Sequence, residues 1–390
     1  MVTRKLNLLK LLKKGESAFL FGPRGVGKSM LANEFLSTQK HSWTLDFLQG
    51  DTFERYLKAP SVFRMEVEKK LEKVPRLTIL LDEIQKVPSL LDEVHSLLEK
   101  HPGKIQFLLT GSSARKLKKS GANLLGGRAW VLNLFPLGSE EIDLDLEKAL
   151  MIGTLPSIYL NATSPERNLR AYVQTYLKEE IKEEGLVRRL DGFARFLDLA
   201  GQMNAEPVNF SAISRESRVS VKTVQEYFNI LEDTLVVRRI DGWSASVRKQ
   251  LLHAPKYYFF DCGVLNALSG ELTTELRGSS YRYGRLFETF IVNEIIKKNM
   301  YDELDRRFHY WRTNTGAEVD LVMAIGKRPV AAIEIKSSKK PLAQDIQGLF
   351  AFKEDYPDVK AYCLCQTPQA YKLKNVTVLP WREGLKKIFT

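Results

Sequence analysis

Ala18-Phe19-Leu20-Phe21-Gly22-Pro23-Arg24-Gly25-Val26-Gly27-Lys28-Ser29 is an apolar run of four residues that closes on the pattern G-x-x-x-x-G-K-[ST]. The apolar run predicts a short buried strand. The glycines predict a tight loop whose successive backbone N–H groups turn inward around the β- and γ-phosphates of a nucleotide. Lys28 supplies a cation for those phosphates, and Ser29 supplies a hydroxyl for a magnesium ion. The helix that follows points its positive end at the anion, and Leu31 with Phe35 and Ala32 with Leu36 give it i,i+4 apolar spacing. Gly22, Pro23, Arg24, Gly25, Val26, Gly27, Lys28 and Ser29 are therefore the candidate cofactor-binding loop, with ATP and Mg2+ as the expected occupants.

Leu77-Thr78-Ile79-Leu80-Leu81-Asp82-Glu83 predicts a second strand of the same site. A continuous apolar run is buried on both faces, as in a parallel sheet. Ligands of open α/β sheets sit beyond the carboxyl ends of the strands, where these two acids emerge. Asp82 is the expected partner of the magnesium shell and Glu83 the group that polarises the attacking water. Leu90, Val94, Leu97 and Leu98 mark the helix behind that strand. Gln106–Thr110 is a third apolar strand, ending in the hydroxyls of Thr110, Ser112 and Ser113. Ser112 is the candidate to sense the γ-phosphate, with ordinary turn chemistry as the plain alternative. Arg128 follows Gly126 and Gly127. Two readings stand for it: a finger that reaches a neighbouring subunit's nucleotide, or a surface or phosphate-sensing arginine of its own site. The chain has no N-K-x-D guanine-reading pattern, which favours ATP over GTP.

These motifs sit in a chain of 390 residues, with 59 Lys+Arg against 47 Asp+Glu and three cysteines. That length predicts two or three domains, each able to bury a core. Forty-four per cent hydrophobic and 27 per cent charged residues exclude collagen-like and disordered classes. No apolar run reaches the ~20 residues that span a bilayer, and the basic start, residues 1–17, lacks a small-residue cleavage site. Cys262, Cys363 and Cys365 form neither a disulfide framework nor a paired zinc motif. A soluble cytoplasmic protein is the expectation, without a membrane partner. The leucines at 6, 8, 9, 11 and 12 predict an amino-terminal helix over Lys5–Lys14 that packs on the sheet rather than on a membrane surface.

Charge divides the chain unevenly. Residues 1–150 hold 24 basic and 18 acidic side chains, residues 151–280 hold 16 of each, and residues 281–390 hold 19 and 13. The two segments of excess +6 suit a polyanion such as DNA, and the neutral middle does not. In that middle, residues 166–202 read as helices. Phe210–Glu216 and a helix with Val221, Val224, Phe228 and Leu231 on one face then precede a β run, Leu235–Ile240, and an Asp241-Gly242 turn. Helix, turn, helix, strand is the winged-helix order. Its outward set, Lys222, Gln225, Glu226 and Asn229, includes an acid and is poor electrostatics for phosphate contact. Contact with DNA and packing on a protein partner both remain readings of this segment. Lys116, Lys118 and Lys119 are read as a solvated basic face.

Glu288, Asp320, Glu334 and Lys336 are the constellation of the last third. Glu318–Ile325 and Val330–Ile335 flank Gly326-Lys327-Arg328, a hairpin signal that brings Asp320 opposite Glu334. Glu334 and Lys336, two apart, project from one face of their strand. Two carboxylates and an ammonium suit a magnesium ion and an activated water, so Lys336 is a candidate catalytic residue. Glu288 lies on a helix over Tyr283–Lys298 among Ile291, Val292 and Ile295, where a carboxylate needs a partner. The candidate metal ligands are thus Ser29 and Asp82 in one place, and Glu288, Asp320 and Glu334 in another. The alternative is a solvated Glu334–Lys336 charge pair.

In order and content these motifs resemble the large bacterial and archaeal family of AAA-type ATPases that carry a carboxyl-terminal domain of unknown function. The resemblance continues through Gly153-Thr154-Leu155-Pro156, residues 171–177, Leu231–Thr234, Pro255–Asp261, Gly284–Glu288 and Gly316–Asp320. It implies an α/β chain in three parts: an AAA-type P-loop ATPase domain over 1–150, a helical and winged-helix-like domain over 151–280, and a nuclease-like domain over 281–390. The last part resembles the PD-(D/E)xK nuclease fold, with Asp320, Glu334 and Lys336 at the motif positions and Val319 where the motif's proline stands. The expected function is ATP hydrolysis coupled to nucleic-acid engagement, with metal-dependent DNA cleavage by the carboxyl-terminal part. The competing expectation is an ATP-driven switch that acts on a protein partner, its nuclease-like fold inert. Either version admits a homo-oligomer.

Overall fold

Leu77–Leu81 and Ile105–Leu109 carry apolar or small side chains at almost every position, so both faces of these strands must be covered. The computed structural model describes residues 2–112, 115, 117, 125–177, 190–244 and 254–390, and it shows that arrangement. Five strands, β1 (Ser17–Phe21), β2 (Ser42–Asp46), β3 (Leu77–Asp82), β4 (Ile105–Gly111) and β5 (Ala129–Asn133), form a sheet in the order β2-β3-β4-β1-β5. Every pairing is parallel. The register sets Phe21 beside Gly111 and Asn133, and Asp46 beside Asp82, so the carboxyl ends share one edge. Phe19, Ile79, Leu81, Phe107 and Leu109 are fully buried in its core. Each such side chain stabilises the fold by about 1.5–3 kcal/mol relative to exposure.

Among the described residues, helices α1 (Leu8–Leu11), α2 (Lys28–Ser37), α3 (Gly50–Lys58), α4 (Pro60–Leu71) and α5 (Leu90–Lys100) accompany this sheet. Helix α2 buries Leu31, Ala32, Phe35 and Leu36, the expected stripe. In α5 the buried set is Leu90, Leu91, Val94 and Leu97, with Leu98 only half-buried. The helix expected over Lys5–Lys14 is a single turn. Leu8 and Leu12, four apart, are buried while Leu9 is exposed, and the buried Leu6 precedes the helix. The chain is already extended at Leu12.

The chain divides into two compact units, Met1–Leu137 with Asp233–Val236, and Gly138–Glu232 with Val237–Thr390. The second begins with helices α6 (Leu146–Ile152), α7 (Pro156–Asn161), α8 (Pro165–Ala171), α9 (Leu190–Gln202), α10 (Phe210–Ser217) and α11 (Val221–Asp233). It continues through β6 (Val237–Gly242), β7 (Lys256–Phe259), α12 (Cys262–Leu268), α13 (Tyr281–Tyr301), β8 (Arg307–Arg312), β9 (Glu318–Ile325) and β10 (Arg328–Lys336). Helix α14 (Gln347–Asp355), β11 (Lys360–Cys365), β12 (Tyr371–Leu373), β13 (Val376–Pro380) and α15 (Trp381–Lys387) close it. Its sheet has eight strands in the order β12-β13-β11-β10-β9-β8-β6-β7. Strand β9 is antiparallel to both β8 and β10, and β11 then runs parallel to β10.

Asp241 and Gly242 were expected to turn the chain but belong to β6, where they pair with His309 and Tyr310 of β8. The strand also starts later than expected, because Leu235 sits at φ +60, outside extended geometry. In α11, Val224, Phe228 and Leu231 are buried as expected, joined by Tyr227 and Ile230, whereas Val221 is exposed at the helix start. Lys222, Gln225, Glu226 and Asn229 are exposed. The Lys116, Lys118 and Lys119 reading lies outside the described residues, as does Ser113.

Candidate functional site

The loop after β1 is built by close backbone approach. A Cβ on Gly22 would stand 2.3 Å from the Leu134 carbonyl oxygen, and Gly27 adopts φ +96. Behind it, Arg4 is buried and donates to Val26 O at 2.7 Å and to Phe135 O at 2.6 Å, tying the loop to the segment after β5. No sequence pattern signalled that role. Lys28, only 6% exposed, folds its ammonium over the loop and donates to Gly22 O at 2.8 Å and Pro23 O at 3.1 Å. An ammonium held this way faces the turn whose N–H groups a phosphate would meet.

Ser29 Oγ donates to Asp82 Oδ1 at 3.3 Å, which joins the first turn of α2 to the end of β3. Thr110, at the end of β4, donates its hydroxyl to the same carboxylate oxygen and accepts from the Glu83 N–H at 3.1 Å. A hydroxyl and a carboxylate, both hard oxygen donors on one edge, fit a magnesium ion. Glu83 has left-handed backbone geometry, φ +61 and ψ +46, at the point where β3 gives way to a 3-10 turn, Ile84–Lys86. Its side chain accepts from the Gln85 amide, and that amide lies 3.3 Å from Ser112 Oγ. Gln85 carries no pattern that the motifs flag, yet it links two of the expected site residues.

Arg128 lies elsewhere. It immediately precedes β5, whose first residue Ala129 is level with Ser17, the start of β1. The glycine loop follows Phe21, at the opposite end of the same parallel strands. Arg128 pairs instead with Glu99 at 2.7 Å and is 41% exposed. A phosphate-sensing role within its own site does not fit this position.

In the second unit, β9 and β10 pair through Ile333 and Leu321, which carries Glu334 to the level of Asp320. The hairpin differs from the expected three-residue loop. It turns over Gly326 and Lys327, with Arg328 already paired to Ile325, and a bulge at Pro329–Ala331 adds the missing residue. The two differences cancel, so the register at Asp320 is the expected one. Asp320 Oδ2 accepts from the Ile335 N–H at 2.7 Å. Glu334 and Lys336 are ion-paired at 2.7 Å, and the second oxygen, Glu334 Oε2, is buried with no hydrogen-bond partner.

Two residues of β7 complete the cluster; they lie within the Pro255–Asp261 stretch of the resemblance, for which sequence reasoning had no role. Tyr258 donates its hydroxyl to Glu288 Oε1 at 2.7 Å. Lys256, 2% exposed, pairs with Glu318 and stands 3.9 Å from Glu288. Burial, then the charge of Asp320, pushes the Glu288 carboxyl up to about 7, against the pull of Lys256 and the Tyr258 hydroxyl. Burial likewise raises Asp320 and Glu334, Glu334 far above the usual carboxylate range. Burial alone would depress Lys336, but Glu334 and Asp320 hold it above its ordinary value. Among the described residues, no three His, Cys, Asp or Glu side chains stand together as a ready ligand set. Asp320 and Glu334, with its unpaired oxygen, stand level on neighbouring strands, and Glu288 bonds Tyr258 and lies near Lys256.

A five-stranded parallel sheet in this order, with a glycine loop after β1 and an Asp-Glu pair after β3, has the arrangement of a P-loop nucleotide-binding domain of AAA type. Residues 14–143 match the family model described as an AAA domain, which suggests ATPase-type activity. Residues 143–275 and 283–383 match two domains of unknown function, DUF8612 and DUF4143. Uncharacterized proteins of Mycobacterium bovis and Mycobacterium tuberculosis are each 25% identical over 266 residues, 67% of this chain and 59% of their own length. An uncharacterized protein of Haemophilus influenzae is 23% identical over 327 residues, 76% of this chain and 79% of its own. The chain thus spans 59% of the length of the two mycobacterial relatives. No described helix is long and apolar enough to cross a membrane.

Proposed function

We propose that the first unit binds and hydrolyses ATP with Mg2+, and that the second engages nucleic acid through a metal-dependent nuclease-type site. The observation that carries the ATPase reading is the convergence of Lys28, Ser29, Asp82 and Glu83 on one edge of the sheet. Lys28 neutralises the β- and γ-phosphates. Ser29 and Asp82 would hold the magnesium ion, whose charge offsets that of the phosphates. Glu83 takes a proton from the attacking water as its oxygen bonds to the γ-phosphorus. The bond to the bridging oxygen breaks and ADP leaves. Ser112 contacts the γ-phosphate side of the site, and Arg128 serves a neighbouring copy in a homo-oligomer.

The nuclease-type reading rests on the order helix α13, antiparallel β8-β9-β10, helix α14 and parallel β11. That order has Asp320 on β9 and Glu334 with Lys336 on β10. Asp320 and Glu334 would hold a divalent ion that activates a water and stabilises phosphate charge, with Glu288 behind them. Helices α10 and α11 followed by β6 form the winged-helix-like segment. The test is Mg2+- and Mn2+-dependent cleavage of single- and double-stranded DNA, with and without ATP. Wild type, Asp320→Ala and Lys28→Ala are compared. Cleavage lost in Asp320→Ala and altered by ATP only when Lys28 is intact supports both halves. Cleavage that persists in Asp320→Ala contradicts the assignment of the site.

The ion pairs of Lys256 with Glu318 and of Lys336 with Glu334 favour a second reading. These lysines balance the acids without a metal, as an inert fold would, and the output then passes to a protein partner. Under it Glu334→Ala leaves the biological output unchanged, whereas Lys28→Ala abolishes it.

A further inference from the structure

The amide of Gln85 is placed as if it had a task at the end of β3. The side chain is 7% exposed, and its nitrogen donates to Glu83 Oε2 and reaches Ser112 Oγ at 3.3 Å. Its oxygen, Gln85 Oε1, is buried without a hydrogen-bond partner. A buried amide oxygen left unpaired carries a desolvation cost, which a donor arriving with the reaction would offset. The fold also makes room for it. A Cβ on Gly111, the last residue of β4, would stand 2.6 Å from Oε1, so the amide keeps this position because glycine leaves the space open.

We infer that Gln85 is the positioning residue of the hydrolytic site: its nitrogen orients the Glu83 carboxylate and its oxygen accepts one hydrogen of the attacking water. This rests on the ATPase reading above. The water has two hydrogens. One is taken by Glu83 as the water oxygen bonds to the γ-phosphorus, and the other points at Gln85 Oε1, which fixes the lone pair on the line of attack. The bond from the γ-phosphorus to the bridging oxygen breaks, ADP carries away its electron pair, and Glu83 later releases the proton to solvent. Gln85 itself exchanges no proton. Ser112 also holds the amide nitrogen. The left-handed backbone at Glu83 and the short 3-10 turn after it bring residues 83 and 85 to the same side.

Loss of the Gln85 amide should lower turnover and leave binding intact. In Gln85→Met, which keeps the length of the side chain without its hydrogen bonds, steady-state kcat for ATP should fall roughly 10- to 100-fold. The dissociation constant for ATP, measured by calorimetry in EDTA, and the melting temperature should stay near wild type. Gly111→Ala, which crowds Oε1 from the facing strand, should lower kcat in the same way, and the two changes together should cost little more than either alone. In a Glu83→Gln background, Gln85→Met should lower the residual rate by less than it lowers the wild-type rate, because only its hold on the water is then left to lose. A Gln85→Met kcat within threefold of wild type would overturn the inference while leaving the ATPase reading intact. A fall in kcat matched by lost ATP affinity or a lower melting temperature would overturn it too, as the mark of a merely structural glutamine. Absence of wild-type turnover, with ATP bound or not, would instead remove the hydrolytic reading on which it stands.

Discussion

Lys28 and Glu83 sit on the same edge of one sheet and differ in what each can lose. Lys28 folds against Gly22 O and Pro23 O, so its ammonium is already fixed over the phosphate loop. Lys28→Ala should therefore weaken ATP binding at least about tenfold, read by calorimetry. Glu83→Gln should keep binding and lower turnover by roughly 100-fold or more. His309 in the second unit is a different kind of residue. Its ring meets Trp243 edge-on at 5.3 Å, and its Nδ1 is buried without a hydrogen-bond partner. Burial holds its pKa below the ordinary 6.5, against the charge of Asp241. A depressed pKa means that its contribution to stability is complete above about 6.5 and is lost as pH falls through the folded value. The urea midpoint of the second unit should thus drop between pH 7 and pH 5, and His309→Phe should flatten that drop. An equal drop in the variant would show that other groups set the acid sensitivity.

Elements differed in how openly the sequence declared them. Strands β1, β3 and β4 are near-continuous apolar runs that end in polar or small residues, and such runs fit few other places. The N-terminal parallel sheet was legible for that reason. The hairpin of β9 and β10 kept its register because a shorter turn and a one-residue bulge cancel, and alternation along a buried face enforces the result. The amino-terminal turn and the start of β6 were not legible, because tertiary burial and a left-handed Leu235 decide them rather than local pattern. The roles of Lys256 and Tyr258 were invisible for a related reason. They lie on β7, some thirty or more positions from Glu288, and only the fold brings them to it. Gln85 was passed over because a glutamine two residues after an acid carries no spacing signal. Element α12 offers a direct check of a buried cap. Asp261 accepts from Val264 N at 3.0 Å and from Thr154 N at 2.6 Å, fastening the turn before α7 to the helix start. Asp261→Ala should destabilise the second unit by about 2 kcal/mol in urea unfolding, from the lost cap and the stranded Thr154 N–H. A change below about 0.5 kcal/mol would mean that the turn finds other partners.

At the scale of the whole molecule, the chain carries a formal charge of +12, with its basic excess in residues 1–150 and 281–390. If nucleic acid is the partner, affinity should fall steeply with salt, on a log–log slope set by the number of phosphates neutralised. Salt-independent binding, or none at low salt, would favour the protein-partner reading. The position of Arg128, at the amino ends of the strands and away from its own phosphate loop, gives the oligomer a test of its own. Arg128→Ala and Lys28→Ala should each be inactive alone, and mixing them should restore part of the turnover, because one copy supplies the nucleotide and the other the arginine. No recovery on mixing would remove the trans role. All of this depends on hydrolysis in the first unit. The most direct measurement is Mg2+-dependent phosphate release from ATP by wild type beside Lys28→Ala and Glu83→Gln. The account predicts multiple turnovers in wild type, none in Lys28→Ala, and ATP held without release in Glu83→Gln. Equal phosphate release by all three proteins would contradict it.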